Sequence, residues 1–195
     1  MKKILTVLIC LSLIFTLMAA MTGCGGDEAQ VTDTDPAEEP VAEPEAETEA
    51  EAQDGEVFTF STETFSGEAF SSDDVKDAKL VMINFWEPWC GPCVGEMPDL
   101  EKVYEEHKNE GFVILGVFSD TTMDDDAAKI LEDAGITYPI LRYTSEFDGF
   151  QTGYVPTTVF MTGEGKLVSD EPVIGGQSYD TWNNAVKGIL EDLKG

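Results

Sequence analysis

Leu80-Val81-Met82-Ile83-Asn84-Phe85-Trp86-Glu87-Pro88-Trp89-Cys90-Gly91-Pro92-Cys93 carries an apolar run into two cysteines three residues apart. A helical pattern starting near Val94 follows. Strand, tight turn and helix start are thus read from one stretch, and they place a redox site at the turn. Residues i and i+3 share a helix face, so the two sulfurs can close a disulfide within the usual Cα separation of roughly 4.4–6.8 Å. Cys90 at the helix N-terminus faces unpaired N–H groups and the positive end of the dipole. Both favour the thiolate, which is the attacking species in exchange. Pro92 suits a first helical turn, where its missing N–H has no partner to lose. The competing reading of two such cysteines is half of a structural zinc site, which needs two further ligands. Beyond carboxylates the chain offers Cys10, Cys24 and His107. Cys10 and Cys24 lie in or beside an export signal, so the pair is read as redox-active, with no metal and no cofactor.

Outward from this stretch, Val57 to Ser61 alternates like a short strand, and Thr64 to Phe70 continues it as a hairpin around Ser66-Gly67. Ser71 to Asp74 caps a brief helix. Leu80 to Trp86 is a buried strand. Val94 to Glu110 is helical, with Met97, Leu100, Val103 and Tyr104 on one stripe and Pro98 kinking its first turns. Phe112 to Phe118 is a second buried strand. Asp124-Asp125-Asp126 opens a helix that ends near Ala134-Gly135. Pro139 to Tyr143 and Thr157 to Met161 read as strands, and Gly163-Glu164-Gly165 turns the chain into Lys166 to Ser169. A helix from Tyr179 to Leu193 closes it. Strands alternating with helices, then a hairpin and a helix, predict an α/β architecture with a central mixed sheet flanked by helices.

The chain of 195 residues has a formal net charge of −28. Met1-Lys2-Lys3 and the apolar run Ile4 to Ala20 have the layout of a secretory signal. The run is shorter than the ~20 residues of a membrane-spanning helix. It ends at Met21-Thr22-Gly23-Cys24, which resembles a bacterial lipoprotein processing site and implies lipidation of Cys24 after removal of 1–23. Several acyl chains on one cysteine give stable attachment where a single chain is marginal. Gly25 to Glu56 holds 13 Asp or Glu and no Lys or Arg. No apolar face can be drawn on it, so 24–56 is expected to be a disordered acidic tether reaching roughly 30 Å. From Val57 to Gly195 there are 26 acids against nine bases, which argues against nucleic acid as a partner.

Together these residues resemble the thioredoxin fold, and within it the extracytoplasmic TlpA/ResA-type thiol–disulfide oxidoreductases. The resemblance spans about Val57 to Lys194 and rests on three pieces. They are Val81 through Cys93, Glu96-Met97-Pro98-Asp99-Leu100, and Gly153-Tyr154-Val155-Pro156-Thr157-Thr158. It implies that Cys90 is the nucleophile, that Cys93 resolves the mixed disulfide, and that Pro156 is a cis-proline beside the site. It also implies that Trp89, Gly91, Pro92, Val155 and Pro156 contact an extended substrate peptide. Cytoplasmic thioredoxins carry a buried aspartate where Asn84 stands here. Glu96, three residues after Cys93, matches a family glutamate and is the candidate proton acceptor for Cys93. Glu87 is read as plain surface, His107 as exposed and inert, and Trp182 as core.

The implied function is reduction of disulfides in exported proteins by a monomer anchored outside the cytoplasm. Its substrates would be apocytochrome c, a methionine sulfoxide reductase or other exported thiol proteins. Its donor would be a membrane thiol carrier of the CcdA kind. Two alternatives on the same fold are a peroxide reductase, which uses a lone cysteine in a Thr-x-x-Cys setting, and a Sco-like copper module, which wants Cys-x-x-x-Cys and a distant histidine.

Overall fold

Strand Leu80–Phe85 is buried at all six positions, as its unbroken apolar character requires of a central strand covered on both faces. The computed structural model describes residues 57–169 and 171–194; the expected signal segment, Cys24 and the acidic tether lie outside them. In chain order the elements are β1 (Ser61–Glu63), β2 (Ala69–Ser71), β3 (Leu80–Phe85), α1 (Gly91–His107), β4 (Phe112–Phe118), α2 (Asp124–Ala134), β5 (Ile140–Arg142), β6 (Thr157–Met161), β7 (Val173–Ile174) and α3 (Tyr179–Asp192). The main sheet has the order β5-β4-β3-β6-β7. β3 pairs parallel with β4 and antiparallel with β6, so the sheet is mixed. This is the thioredoxin-like α/β fold, with the β1–β2 hairpin as an N-terminal extension.

The two faces of β3 bury different partners. Leu80 and Met82, with Trp86 just beyond the strand, meet Met97, Leu100 and Val103 of α1, Ala127 of α2 and Trp182, Val186 and Leu190 of α3. Val81, Ile83 and Phe85 face the aromatic cluster that includes Phe60 and Phe147. The hairpin covers the β5 edge, where Thr64 bridges Leu141 and the Phe65 N–H donates to the Ile140 carbonyl at 2.7 Å. Covering that edge removes an open row of backbone donors and acceptors.

Several boundaries differ from the sequence reading. Val57 to Phe60 is not a strand, although its alternation is real. Phe58 and Phe60 point inward onto Phe147, with ring centroids 5.7 and 5.2 Å away. Alternation reports which face is buried, not whether the backbone is paired. Here the Phe58 N–H donates to the Gly165 carbonyl at 2.9 Å instead. Gly165 has φ +84°, and a Cβ there would fall 2.2 Å from the Phe58 carbonyl oxygen, so only glycine admits this crossing. Lys166 to Ser169 forms a single bridge, Leu167 to Met161, and the strand beside β6 is the two-residue β7. A six-residue 3₁₀ segment, Ser145–Phe150, buries Phe147 where no regular element was expected.

His107 is also a correction, for it is 5% exposed rather than free in solvent. Its Nδ1 lies 3.0 Å from Glu110 Oε1 and its Nε2 lies 2.5 Å from Asn183 Oδ1. It therefore ties the end of α1 to α3. The flanking Glu105-Glu106 and Lys108 made the segment look solvated, but one residue in that run faces the neighbouring helix.

Candidate active site

Cys90 is the N-cap of α1, so the helix begins at Gly91, three residues before the periodicity becomes visible. Its sulfur accepts the Cys93 N–H at 3.2 Å, one of the orphan donors of the first turn. The same geometry places the two sulfurs together: Cys90 and Cys93 are joined by a disulfide with a Cα separation of 5.3 Å. Both cysteines are buried, while Gly91 and Pro92 between them are exposed. Trp89, at 62% exposure, stands immediately before Cys90.

Two loops complete the rim. The Val155–Pro156 peptide is cis, as the resemblance implied, and the Val155 carbonyl oxygen lies 3.6 Å from Cys90 Sγ. The Gly175 N–H donates to the Pro156 carbonyl at 2.8 Å. A Cβ on Gly176 would sit 3.1 Å from the Pro92 carbonyl oxygen and 3.6 Å from Glu96 Oε2. Trp89, Gly91, Pro92, Val155 and Pro156 are thus gathered around one sulfur. A groove lined by Trp86, Glu87, Ser119, Gln151 and Val155 opens beside them.

Glu96 lies on the same helix as the cysteines, one turn beyond Cys93, and is 4% exposed. Its carboxyl accepts from three separate parts of the chain. Asn84 Nδ2 donates to Oε1 at 3.0 Å, and the Gln177 N–H and Trp182 Nε1 donate to Oε2 at 2.9 and 3.1 Å. Asn84 Nδ2 also donates to Thr158 Oγ1 at 3.0 Å, a hydroxyl able to donate or accept. Burial pushes the Glu96 carboxyl above its ordinary value, and these hydrogen bonds pull back against it, with the burial effect the larger. A carboxyl with raised proton affinity inside a site is suited to take and return a proton. Asn84, in the position of the thioredoxin aspartate, supplies a donor to Glu96. Trp182 is core, as expected, and also a donor to it.

Glu87 is not plain surface. It is 8% exposed, and its Oε1 accepts from the Ser119 N–H at 3.0 Å and the Ser119 hydroxyl at 2.6 Å. Its Oε2 accepts the Asp120 N–H at 3.3 Å. Glu87 thereby stitches the turn before Cys90 to the end of β4. Its partners lie 32 and 33 residues away, beyond the reach of local pattern. Among the described residues no group of three or more His, Cys, Asp or Glu is arranged to hold a metal ion, and no helix is long and apolar enough to cross a membrane.

Residues 53–168 match the model of the AhpC/TSA family. The thiol-disulfide oxidoreductase ResA of Oceanobacillus iheyensis is 31% identical over 119 residues, which cover 60% of this chain and 58% of that protein's length. ResA of Bacillus thuringiensis is 28% identical over 136 residues, covering 69% of this chain and 76% of that protein. Among solved structures, a thiol:disulfide interchange protein of the thioredoxin family from Chlorobium tepidum TLS superposes with a TM-score of 0.60 at 26% identity. That likeness covers 70% of this chain and 99% of the other.

Proposed function

The chain belongs to the AhpC/TSA family, and from that premise we propose that it is a thiol–disulfide oxidoreductase that reduces disulfides of exported proteins. The observation that carries this reading is the Cys90–Cys93 disulfide at the α1 N-terminus, with the Val155 carbonyl beside Cys90 Sγ. In the dithiol form, the Cys90 thiolate attacks a substrate disulfide. The substrate S–S bond breaks, one substrate sulfur leaves as thiolate and takes a proton, and a mixed disulfide forms on Cys90. Cys93 then loses its proton, attacks Cys90 and expels the second substrate sulfur. Two electrons have passed to the substrate, and the Cys90–Cys93 disulfide is restored. A dithiol donor of lower potential must re-reduce it. A membrane thiol carrier of the CcdA kind fits that requirement, and apocytochrome c and methionine sulfoxide reductases are substrates of the right type.

Two cysteines bonded to each other favour this dithiol cycle over the lone-cysteine peroxide chemistry of other relatives on the fold. The copper alternative wants a different cysteine spacing and a distant histidine. With dithiothreitol as donor, the protein should accelerate insulin reduction, and Cys90→Ser should not. Catalytic peroxide consumption or stoichiometric copper binding, without insulin reduction, would replace this reading.

The proposal extends to location. Residues 1–23 are a lipoprotein signal, Cys24 carries the lipid, and 24–56 is the tether of a monomeric domain working outside the cytoplasm. Labelled fatty acid should attach to the exported protein, and Cys24→Ser should abolish the label. A mutant that keeps its label would contradict the anchor.

A further inference from the structure

Three runs of chain each send a part to the disulfide, 88–95, 149–163 and 172–179, and none contains Asp, Glu, Lys or Arg. In sequence they are bounded by Glu87 and Glu96, Asp148 and Glu164, and Glu171 and Asp180, every one acidic. Glu87 and Glu96 are buried, and Glu164 lies past the far end of β6, where the Gly163 N–H donates to the Ala78 carbonyl. The runs converge through the contacts already described: Val155 carbonyl beside Cys90 Sγ, Gly175 N–H on the Pro156 carbonyl, and Gly176 against Pro92. Each run offers one large apolar side chain to solvent, Trp89 at 62%, Tyr154 at 69% and Ile174 at 51% exposure. A neutral, apolar rim in a domain of 26 acids and nine bases marks a binding face rather than average surface.

We propose that the partner of this face is an extended polypeptide whose cysteine sits among uncharged apolar or aromatic residues and is flanked within a few positions by Lys or Arg. The inference rests on the disulfide-exchange reading and names the substrate class of that site. The uncharged core of such a segment meets Trp89, Tyr154 and Ile174 without any charge having to be desolvated. An extended chain advances about 3.3–3.6 Å per residue. Residues three or four positions from the cysteine therefore lie beyond the neutral rim, among its acidic borders, where exposed Asp148, Glu171 and Asp180 stand. Basic flanks gain there and acidic flanks are repelled. The net negative field also speeds the approach of a cationic segment.

The test uses the reduced protein and three disulfide-linked peptides with one Tyr-Cys-Leu core, flanked by lysines, glutamines or glutamates. At about 20 mM salt the second-order rate constants should rank lysine over glutamine over glutamate, spanning on the order of 10²-fold. At about 1 M salt, where the screening length is about 3 Å, they should converge to within about threefold. Tyr154→Ser and Ile174→Ser should each slow all three peptides by a similar factor, about tenfold, with no change in redox midpoint. Rates blind to flanking charge, a ranking that survives high salt, or surface variants as fast as the parent would each overturn the proposal. Neutral hydroxyethyl disulfide separates the two levels of the argument. If the dithiol protein reduces it while the peptides fail to rank, only this inference fails; if it reduces no disulfide at all, the exchange reading itself fails.

Discussion

Cys93→Ser should freeze mixed disulfides on Cys90 in cells and lower multiple-turnover reduction to background, a loss on the order of 10⁴-fold or more, as for other covalent nucleophile systems. The asymmetry follows from placement. Cys90 caps α1, receives a helix N–H on its sulfur, and sits beside the Val155 carbonyl at the rim. The helix N-terminus and the N–H stabilise its thiolate, and the rim position beside Val155 presents it to a substrate disulfide. Cys93 is only 1% exposed, one turn into the helix, and reaches the substrate sulfur only through Cys90. Removing Cys93 therefore spares the first attack and stops the second. Cys90→Ser should trap nothing. Trapped species that form on Cys93 in the Cys90→Ser protein would reverse the two roles, and an absence of trapped species from both variants would remove the exchange mechanism.

Glu96→Gln should slow decay of the mixed disulfide by roughly 10²–10⁴-fold, the range of general acid–base groups, while alkylation of Cys90 at neutral pH changes far less. Cys93 must lose a proton as it attacks, and Asn84 cannot accept one. Glu96 is the buried carboxyl on the same helix, held by Asn84, Gln177 and Trp182. Glutamine preserves the network: its oxygen can take the Gln177 and Trp182 donors while its amide donates to a flipped Asn84. The loss should therefore be of proton transfer and not of fold. Rapid-quench decay of the mixed disulfide from pH 6 to 9 decides it, and parental rates throughout would make solvent the base.

The same substitution has a stability signature of definite sign. Burial raises the Glu96 pKa above the ordinary 4.5, so between that value and its value in the fold the native state holds more protons than the unfolded chain. The parent's stability contribution from this group therefore falls as pH rises through that window, and is lowest once Glu96 is ionised. Glu96→Gln lacks the fall. Urea titrations from pH 4 upward should show the variant gaining on the parent, then running parallel to it.

What the sequence made legible is what local chemistry controls. The strand–turn–helix around Cys90 and Cys93, the central strands and the acidic start of α2 all declare themselves within a dozen residues. Pro156 was placed beside the site by resemblance alone. Glu87 and His107 are not legible locally, because a carboxylate or imidazole in a polar run looks solvated until its distant partners, Ser119 or Asn183, are in place. β7 has two residues, too few for any period to show. Phe58 and Phe60 displayed the right face but the wrong pairing, since their backbone answers to Gly165 and Ser72. Spacing and family match point to Glu96, but its three donors come from β3, α3 and the loop before α3, which only the fold brings together.

The redox midpoint of the Cys90–Cys93 pair tests the central claim most directly. Equilibration of the purified domain against defined dithiol buffers should give a reducing value, nearer thioredoxin at about −270 mV than DsbA at about −120 mV. A midpoint above about −180 mV, the level of protein disulfide isomerase, would contradict the account and make the protein an oxidant or isomerase.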